Sequence, residues 1–111
     1  KYHIFRTISN KILDKDILMN KLITSCSNGD LGTVKSLKGY INFNIEDYDN
    51  RTPLHLACSE GHLEIVKYLI ENNCNTNVKD RWGSLPINDA KKGLEKNKDN
   101  KNYLEIIKLL Q

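Results

Sequence analysis

The sequence lacks any apolar run that approaches the length of a membrane span, and it has few cysteines. The three cysteines, Cys26, Cys58 and Cys74, are odd in number and far apart. This favours reduced, buried thiols in a cytosolic protein over a disulfide framework. The chain begins at Lys1 and ends at Gln111 inside an apolar helical pattern, so we expect it to be a fragment of a longer protein. At 111 residues it is one domain at most.

The net charge of the chain is confined to one segment. The whole chain carries +3, and residues 91–101 hold five lysines against Glu95 and Asp99, which is again +3. The rest of the chain therefore balances to zero. Phosphate binding needs clustered cations, but this run has two acids and no interleaved aromatic residues. We therefore interpret it as a solvated segment and predict no nucleic-acid binding.

Groupings of residues that would serve catalysis or metal binding are missing as well. A zinc site needs four converging ligands at short spacings, whereas Cys26 and Cys58 stand 32 residues apart. No third group appears that would orient a Cys–His pair for nucleophilic attack. We therefore predict no catalytic residue, no metal and no cofactor in this segment.

What the sequence does contain is a repeat of about 33 residues. Residues 50–57 (NRTPLHLA) match residues 83–90 (GSLPINDA) at an offset of 33, and residues 28–31 match 60–63 at an offset of 32. Residues 62–69 (HLEIVKYL) match 103–110 (YLEIIKLL) at an offset of 41. The last unit thus carries an insertion, which coincides with the Lys/Asn-rich stretch at about 91–101. Because insertions in repeat proteins map to loops, we predict a mobile, solvated loop there.

Each unit has the signals of a helix pair. Thr52 is a good N-cap and Pro53 is tolerated at the first helical position, so a short first helix is predicted from Leu54 to Ser59. Gly61 permits the tight turn that closes it. Apolar residues at positions 63, 66, 69 and 70 have helical spacing and predict a second helix. One such pair cannot bury its apolar face alone, so the units must stack.

The block at 47–57 (DYDNRTPLHLA), continued at 59–69 (SEGHLEIVKYL), resembles the ankyrin repeat. The resemblance implies an all-α solenoid of about three helix-pair units with an N-terminal helix. Residues 1–15 are expected to form that capping helix or a degenerate repeat. Unit 1 (degenerate) is expected at 16–46, unit 2 (near-consensus) at 47–79, and unit 3 with its insertion at 80–111. The implied function is a protein-interaction module, cytoplasmic, with a protein as its partner.

The resemblance assigns structural roles to part of the repeat. In ankyrin repeats the threonine and histidine of T-P-L-H brace the turn and the neighbouring unit, which carries over to Thr52 and His55. Unit 1 lacks this motif and unit 3 lacks its threonine and histidine, so both outer units are expected to be less stable. The residues assigned to the structural motif are Thr52, Pro53, Leu54, His55, Gly61, Gly83 and Pro86.

Ankyrin arrays usually bind through the tips of their turns and the exposed side of their first helices. By position, the partner-binding candidates are Tyr48, Asp49, Arg51, Ser59, Glu60, Lys79, Arg81, Trp82 and Ser84, with Ser27 and Asn28 in unit 1. Trp and Arg are enriched at energetic hot spots, which singles out Trp82 and Arg81. Two structural alternatives stay open: the Trp82 ring covers the next helix, and Arg81 pairs with Asp49 or Asp47.

The turn sequences indicate a particular subtype of ankyrin repeat. Residues 47–49 (DYD), 59–62 (SEGH) and 79–83 (KDRWG) look like the ankyrin block at the C-terminal end of glutaminases and of asparaginase/lysophospholipase-type amidohydrolases. Plant potassium channels and integrin-linked or related kinases carry similar blocks. An alternative function is therefore a regulatory or assembly appendage of such an amidohydrolase, or a cytosolic domain of a channel or kinase. In all of these parents the catalysis lies in another domain.

Overall fold

A computed structural model describes residues 16–111 as six helices in three consecutive pairs. The first pair is α1 (residues 16–28) and α2 (Leu31–Ser36), the second is α3 (Pro53–Glu60) and α4 (Leu63–Glu71), and the third is α5 (Pro86–Lys96) and α6 (Lys101–Leu110). No strand is formed between residues 16 and 111, so the all-α prediction is confirmed. The helix or degenerate repeat expected at residues 1–15 lies outside the described residues.

The helices of unit 2 begin and end where local signals place them. Thr52 is the N-cap of α3, Pro53 is its first residue, and the Thr52 hydroxyl accepts the His55 amide hydrogen at 3.4 Å. Gly61 ends α3 with φ of 74°, a left-handed conformation that glycine adopts without steric cost. Helix α4 ends at Glu71 and is followed by Asn73 with φ of 63°.

The core is a single cluster to which the successive helices contribute one apolar side each. Ile65, Val66 and Leu69 of α4 are at most 1% exposed. Cys26 and Cys58 are fully buried beside them. Cysteine here packs as a small hydrophobe, and its burial lets consecutive first helices approach one another.

The predicted loop at about 91–101 is wrong for its first half. Helix α5 has 11 residues against eight for α3, and it continues through Lys96, so only residues 97–100 connect it to α6. The physical reason is helix propensity: residues 91–96 (KKGLEK) contain mainly strong helix formers. Leu94 packs against the core, and Lys96 lies in the last turn, where a cation interacts favourably with the helix dipole.

Candidate functional site

The turns that precede α3 and α5 are built in the same way by two aspartates. One carboxylate oxygen of Asp47 accepts the amide hydrogens of the residues two and four positions later, both at 2.9 Å. Asp80 does the same 33 residues on, also at 2.9 Å. Asn50 (φ 60°) and Gly83 (φ 81°) supply the left-handed position of each turn. These aspartates hold both tips in one conformation, and we did not select them from the sequence, although their 33-residue period was visible there.

The pKa of Asp80 reflects this arrangement. Burial alone raises the pKa of Asp80, but the Ser84 and Trp82 amide donors, together with the nearby charge of Arg51, outweigh burial and lower it. The side chain is therefore held as a carboxylate. A charged acceptor strengthens both turn hydrogen bonds.

The tips carry large exposed side chains. Tyr48 is 97% exposed and Trp82 is 67% exposed, so the Trp82 ring does not cover the next helix. Arg81 joins the two tips: its amide donates to the Asp49 carbonyl at 2.7 Å, and its Nη1 lies 3.4 Å from the Asp49 carboxylate. The Arg81 guanidinium carbon also lies 5.8 Å from the centre of the Trp82 ring. Lys79 is exposed nearby. Five of the selected residues therefore form one accessible tip surface: Tyr48, Asp49, Lys79, Arg81 and Trp82.

Two of the selected residues are placed elsewhere. The Arg51 side chain points into the junction between units 2 and 3, where its Nη2 lies 3.6 Å from Oδ2 of Asp89. Ser84 has its amide bound to Asp80 and its carbonyl bound to His55. Arg51 therefore contributes its side chain, and Ser84 its backbone, to the junction, and a partner contact by either residue stays a prediction.

The ion pair of Arg51 and Asp89 is incompletely satisfied. Nε of Arg51 and Oδ2 of Asp89 are buried without a hydrogen-bond partner. Burial raises the pKa of Asp89, and the nearby cations Arg51 and Lys92 offset this only in part. Because a buried charge is costly without full pairing, Arg51 favours the ionised form of Asp89.

His55, Asp80 and Asp89 lie with ligand atoms within 4.8 Å of one another, a grouping that resembles a metal site. The histidine, however, has no free nitrogen. Nδ1 of His55 accepts the Thr52 amide hydrogen at 3.0 Å, which leaves the proton on Nε2, and Nε2 donates to the Ser84 carbonyl at 3.0 Å. His55 is also fully buried. The grouping is therefore a brace between the turn of unit 2 and that of unit 3, as predicted for Thr52 and His55.

The ends of the first helices are tied to the following unit. Nε2 of His62 donates to the Ser27 carbonyl at 2.9 Å, and the Tyr103 hydroxyl donates to the Ser59 carbonyl at 2.9 Å. The backbone of Ser27 and Ser59 is thus occupied, while Glu60 beside Ser59 stays exposed.

Beside this tie lies an open hollow of about 240 Å³ between the ends of α3 and α5, called here the α3–α5 hollow. Its lining residues are Ser59, Glu60, Asp89, Lys92, Gly93, Lys96, Asn97 and Tyr103.

Comparison with known proteins decides the family. The family model described as "Ankyrin repeats (3 copies)" matches residues 4–80, more than half of the chain. The chain belongs to the ankyrin-repeat family. The match ends at Asp80, so the assignment of unit 3 as an ankyrin unit rests on its sequence period and on the α5–α6 pair.

Curated relatives share this ankyrin region within much longer proteins. The chain is 52% identical over 68 residues to "Glutaminase liver isoform, mitochondrial" of Mus musculus, covering 60% of the chain and 10% of that protein. It is 44% identical over 73 residues to "Potassium channel GORK" of Arabidopsis thaliana (65% and 9%), and 46% identical over 62 residues to "Serine/threonine-protein kinase VIK" of the same plant (56% and 13%). The chain therefore spans about a tenth of these relatives, and the predicted subtype is confirmed.

No helix formed by residues 16–111 combines the length and the apolar character that crossing a membrane requires.

Proposed function

We propose that this ankyrin segment binds a protein partner through the tip surface formed by Tyr48, Asp49, Lys79, Arg81 and Trp82. Ankyrin repeats are protein-interaction modules, and the chain is a region of the kind found in larger glutaminases, channels and kinases. The observation that carries the choice of surface is the 67% exposure of Trp82 on a turn whose backbone is fixed by Asp80. A large aromatic side chain that is already positioned loses little entropy on binding.

The test is a capture experiment with a matched pair of variants. Tagged wild-type protein, Trp82→Ala and Tyr40→Ala are used to recover binding proteins from source-cell extract, which mass spectrometry then identifies. Tyr40 is 76% exposed in the segment after α2 and serves as an exposed aromatic that is not part of the tip surface. We expect one protein to bind the wild type and Tyr40→Ala and to be lost from Trp82→Ala, with all three equally folded by circular dichroism. Loss from both variants, or from neither, contradicts the tip surface as the binding site.

A second candidate function is a regulatory or assembly role within a glutaminase- or asparaginase-like amidohydrolase, or within a channel or kinase. The similarity to the mouse glutaminase favours it. On this proposal the segment itself has no catalytic activity, and the reaction is carried out by another domain of the same chain. Sequencing the coding region that flanks this segment tests this directly, because an amidohydrolase domain before Lys1, or else a channel or kinase domain, must be found there.

We further propose a reducing, cytoplasmic environment for the domain. The support is that Cys26, Cys58 and Cys74 are all free thiols, since disulfides persist mainly in oxidising compartments. Fractionation of source cells with an antibody to this domain tests the location, and recovery from an organelle or secreted fraction contradicts it.

A further inference from the structure

We propose that the α3–α5 hollow binds a carboxylate side chain of the partner, so that the partner segment is acidic. This rests on the proposed function as a protein-binding module, and it adds a second contact region with a defined chemical preference. The proposal follows from the lengthened helix α5, which places cations where a loop was expected.

Two lysines stand on one side of α5, one helical turn apart. Lys92 and Lys96 both line the hollow, and neither takes part in an ion pair of the described residues. Positions i and i+4 of a helix are neighbours on its surface, so both lysine side chains border the same space. The equivalent helix of unit 2, α3, is shorter and ends at Glu60. The extra turn of α5 therefore brings Lys96 to the hollow.

The acids of the hollow leave this positive charge only partly compensated. The Asp89 carboxylate is paired with Arg51 in the junction beneath. Glu60 is the remaining acid of the lining. The lining alone is neutral, with Lys92 and Lys96 against Glu60 and Asp89; when Arg51 beneath is included, the net charge is +1, and residues 91–101 together carry +3.

The space and its floor suit a carboxylate side chain. A volume of about 240 Å³ exceeds by several-fold the roughly 30 Å³ that one water occupies in the liquid. The floor includes Gly93 and Tyr103, and the Tyr103 hydroxyl is already bound to Ser59. A partner carboxylate would therefore pair with Lys92 and Lys96 rather than with the Tyr103 hydroxyl.

An acidic protein segment fits better than a nucleic acid. Proteins that bind single-stranded nucleic acids offer exposed aromatic rings on which the bases stack. The aromatic residue of this hollow, Tyr103, is only 4% exposed. Glu60 at the hollow would also repel a continuous phosphate backbone, while a protein segment can place a single carboxylate between the lysines and a neutral residue beside Glu60.

The test measures binding of a short fluorescein-labelled peptide of alternating glutamate and serine to the 111-residue chain by fluorescence anisotropy at low salt. The variant is Lys92→Gln/Lys96→Gln. The matched control is Lys67→Gln/Lys108→Gln, which removes the same charge from α4 and α6, where each lysine forms only an exposed pair within its helix. The glutamine version of the peptide and a labelled oligothymidylate are titrated in parallel.

We expect the hollow variant to weaken binding of the glutamate peptide about tenfold, as loss of a charge-assisted contact does. The control should change it by less than about twofold, because exposed pairs contribute little. The proposal is overturned by equal loss in both variants, by no measurable binding of the glutamate peptide, by equal binding of the glutamine peptide, or by tighter binding of the oligothymidylate. The capture experiment with Trp82→Ala is separate from this titration. Partner binding by the tip surface can therefore be supported even if the hollow does not bind the glutamate peptide.

Discussion

The ring of Tyr103 lies against the backbone of Gly93, so that α6 packs into a notch in α5. A Cβ atom added at Gly93 would overlap the ring, and one added at Gly61 would come within 2.9 Å of it. The Tyr103 hydroxyl reaches past both glycines to the Ser59 carbonyl. Tyr103 occupies in unit 3 the place that His62 takes in unit 2, where His62 lies over Gly29 and binds Ser27.

Gly93→Ala should destabilise the protein, against the usual trend for a helix interior. Alanine is normally favoured over glycine in a helix by about 1 kcal/mol, but here its methyl group must displace the Tyr103 ring, and such overpacking typically costs about 1–3 kcal/mol. Urea unfolding measures the change. Gly32→Ala in α2 is the control, since its Cβ would meet only the Asp30 carboxylate at 3.7 Å. A stabilised Gly93→Ala protein would show that the notch is not needed.

Replacing His55 by alanine should cost more stability than replacing His62. His55 is fully buried and bonds both Thr52 and Ser84, whereas His62 is partly exposed and makes one bond to Ser27. We expect a loss of about 2–4 kcal/mol for His55→Ala and about 1–2 kcal/mol for His62→Ala, because buried groups left without partners pay their desolvation cost. Denaturant midpoints of the two variants give the order, and the reverse order would refute a dominant brace at His55.

The Arg51–Asp89 pair should show strong coupling in a double-mutant cycle. Arg51→Ala leaves the nearly buried Asp89 carboxylate unpaired, and Asp89→Ala leaves the Arg51 guanidinium without its carboxylate partner, so each single change should destabilise by about 1–3 kcal/mol. Arg51→Ala/Asp89→Ala removes both charges and should cost clearly less than the sum. Chemical denaturation of the four proteins provides the coupling energy. Additive losses would mean that the two charges act independently.

Asp80 should make folding sensitive to acid. Its pKa is lowered in the folded chain from the ordinary 3.8, so its contribution is complete above that value and is lost as the pH falls through the lower, folded-state pKa. Urea unfolding between about pH 6 and about pH 3 measures this loss. Asp80→Asn keeps an oxygen acceptor for the turn but cannot titrate, so its stability should fall less with acid. Parallel curves for the two proteins would exclude Asp80 as a source.

The three cysteines should be nearly unreactive in the folded protein. Burial, with a smaller effect of Cys74, raises the pKa of Cys26 to about 12, and burial raises the pKa of Cys74 to about 11; burial also raises the pKa of Cys58. The thiolate is the reactive form. Reaction with an aromatic disulfide reagent near neutral pH should be slow, with the half-buried Cys74 first. Guanidinium should release all three thiols, and fast reaction without it would contradict the burial.

The sequence predicts the helix ends of unit 2 well because their signals are local. Thr52, Pro53 and Gly61 act on the backbone next to them, and the structure uses each as expected. The structure of the inserted residues cannot be predicted in the same way. The 41-residue offset shows that residues are added but not whether they form a loop, and the helix propensity of residues 91–96 decides in favour of α5.

The positions of side chains depend on residues that are distant in the sequence, so the sequence predicts them only in part. Trp82 and Arg81 were found from residue type and position, but whether Arg81 pairs with Asp49 stayed open until the tips were placed together. The pairing of Arg51 with Asp89 is not predicted from the sequence, because Asp89 is 38 residues away.

The two junctions between units are held unequally. Among residues 16–111, the polar bonds between units 1 and 2 are those of His62 with Ser27, of the Asn75 amide with the Asn44 side chain, and of the Asn50 side chain with Glu46, the last exposed and local in the sequence. The junction of units 2 and 3 has bonds or ion pairs from His55, Arg51, Arg81 and Tyr103. Units 2 and 3 should therefore open together as one foldon, with slow amide hydrogen exchange shared by α3 to α6, while α1 and α2 exchange sooner.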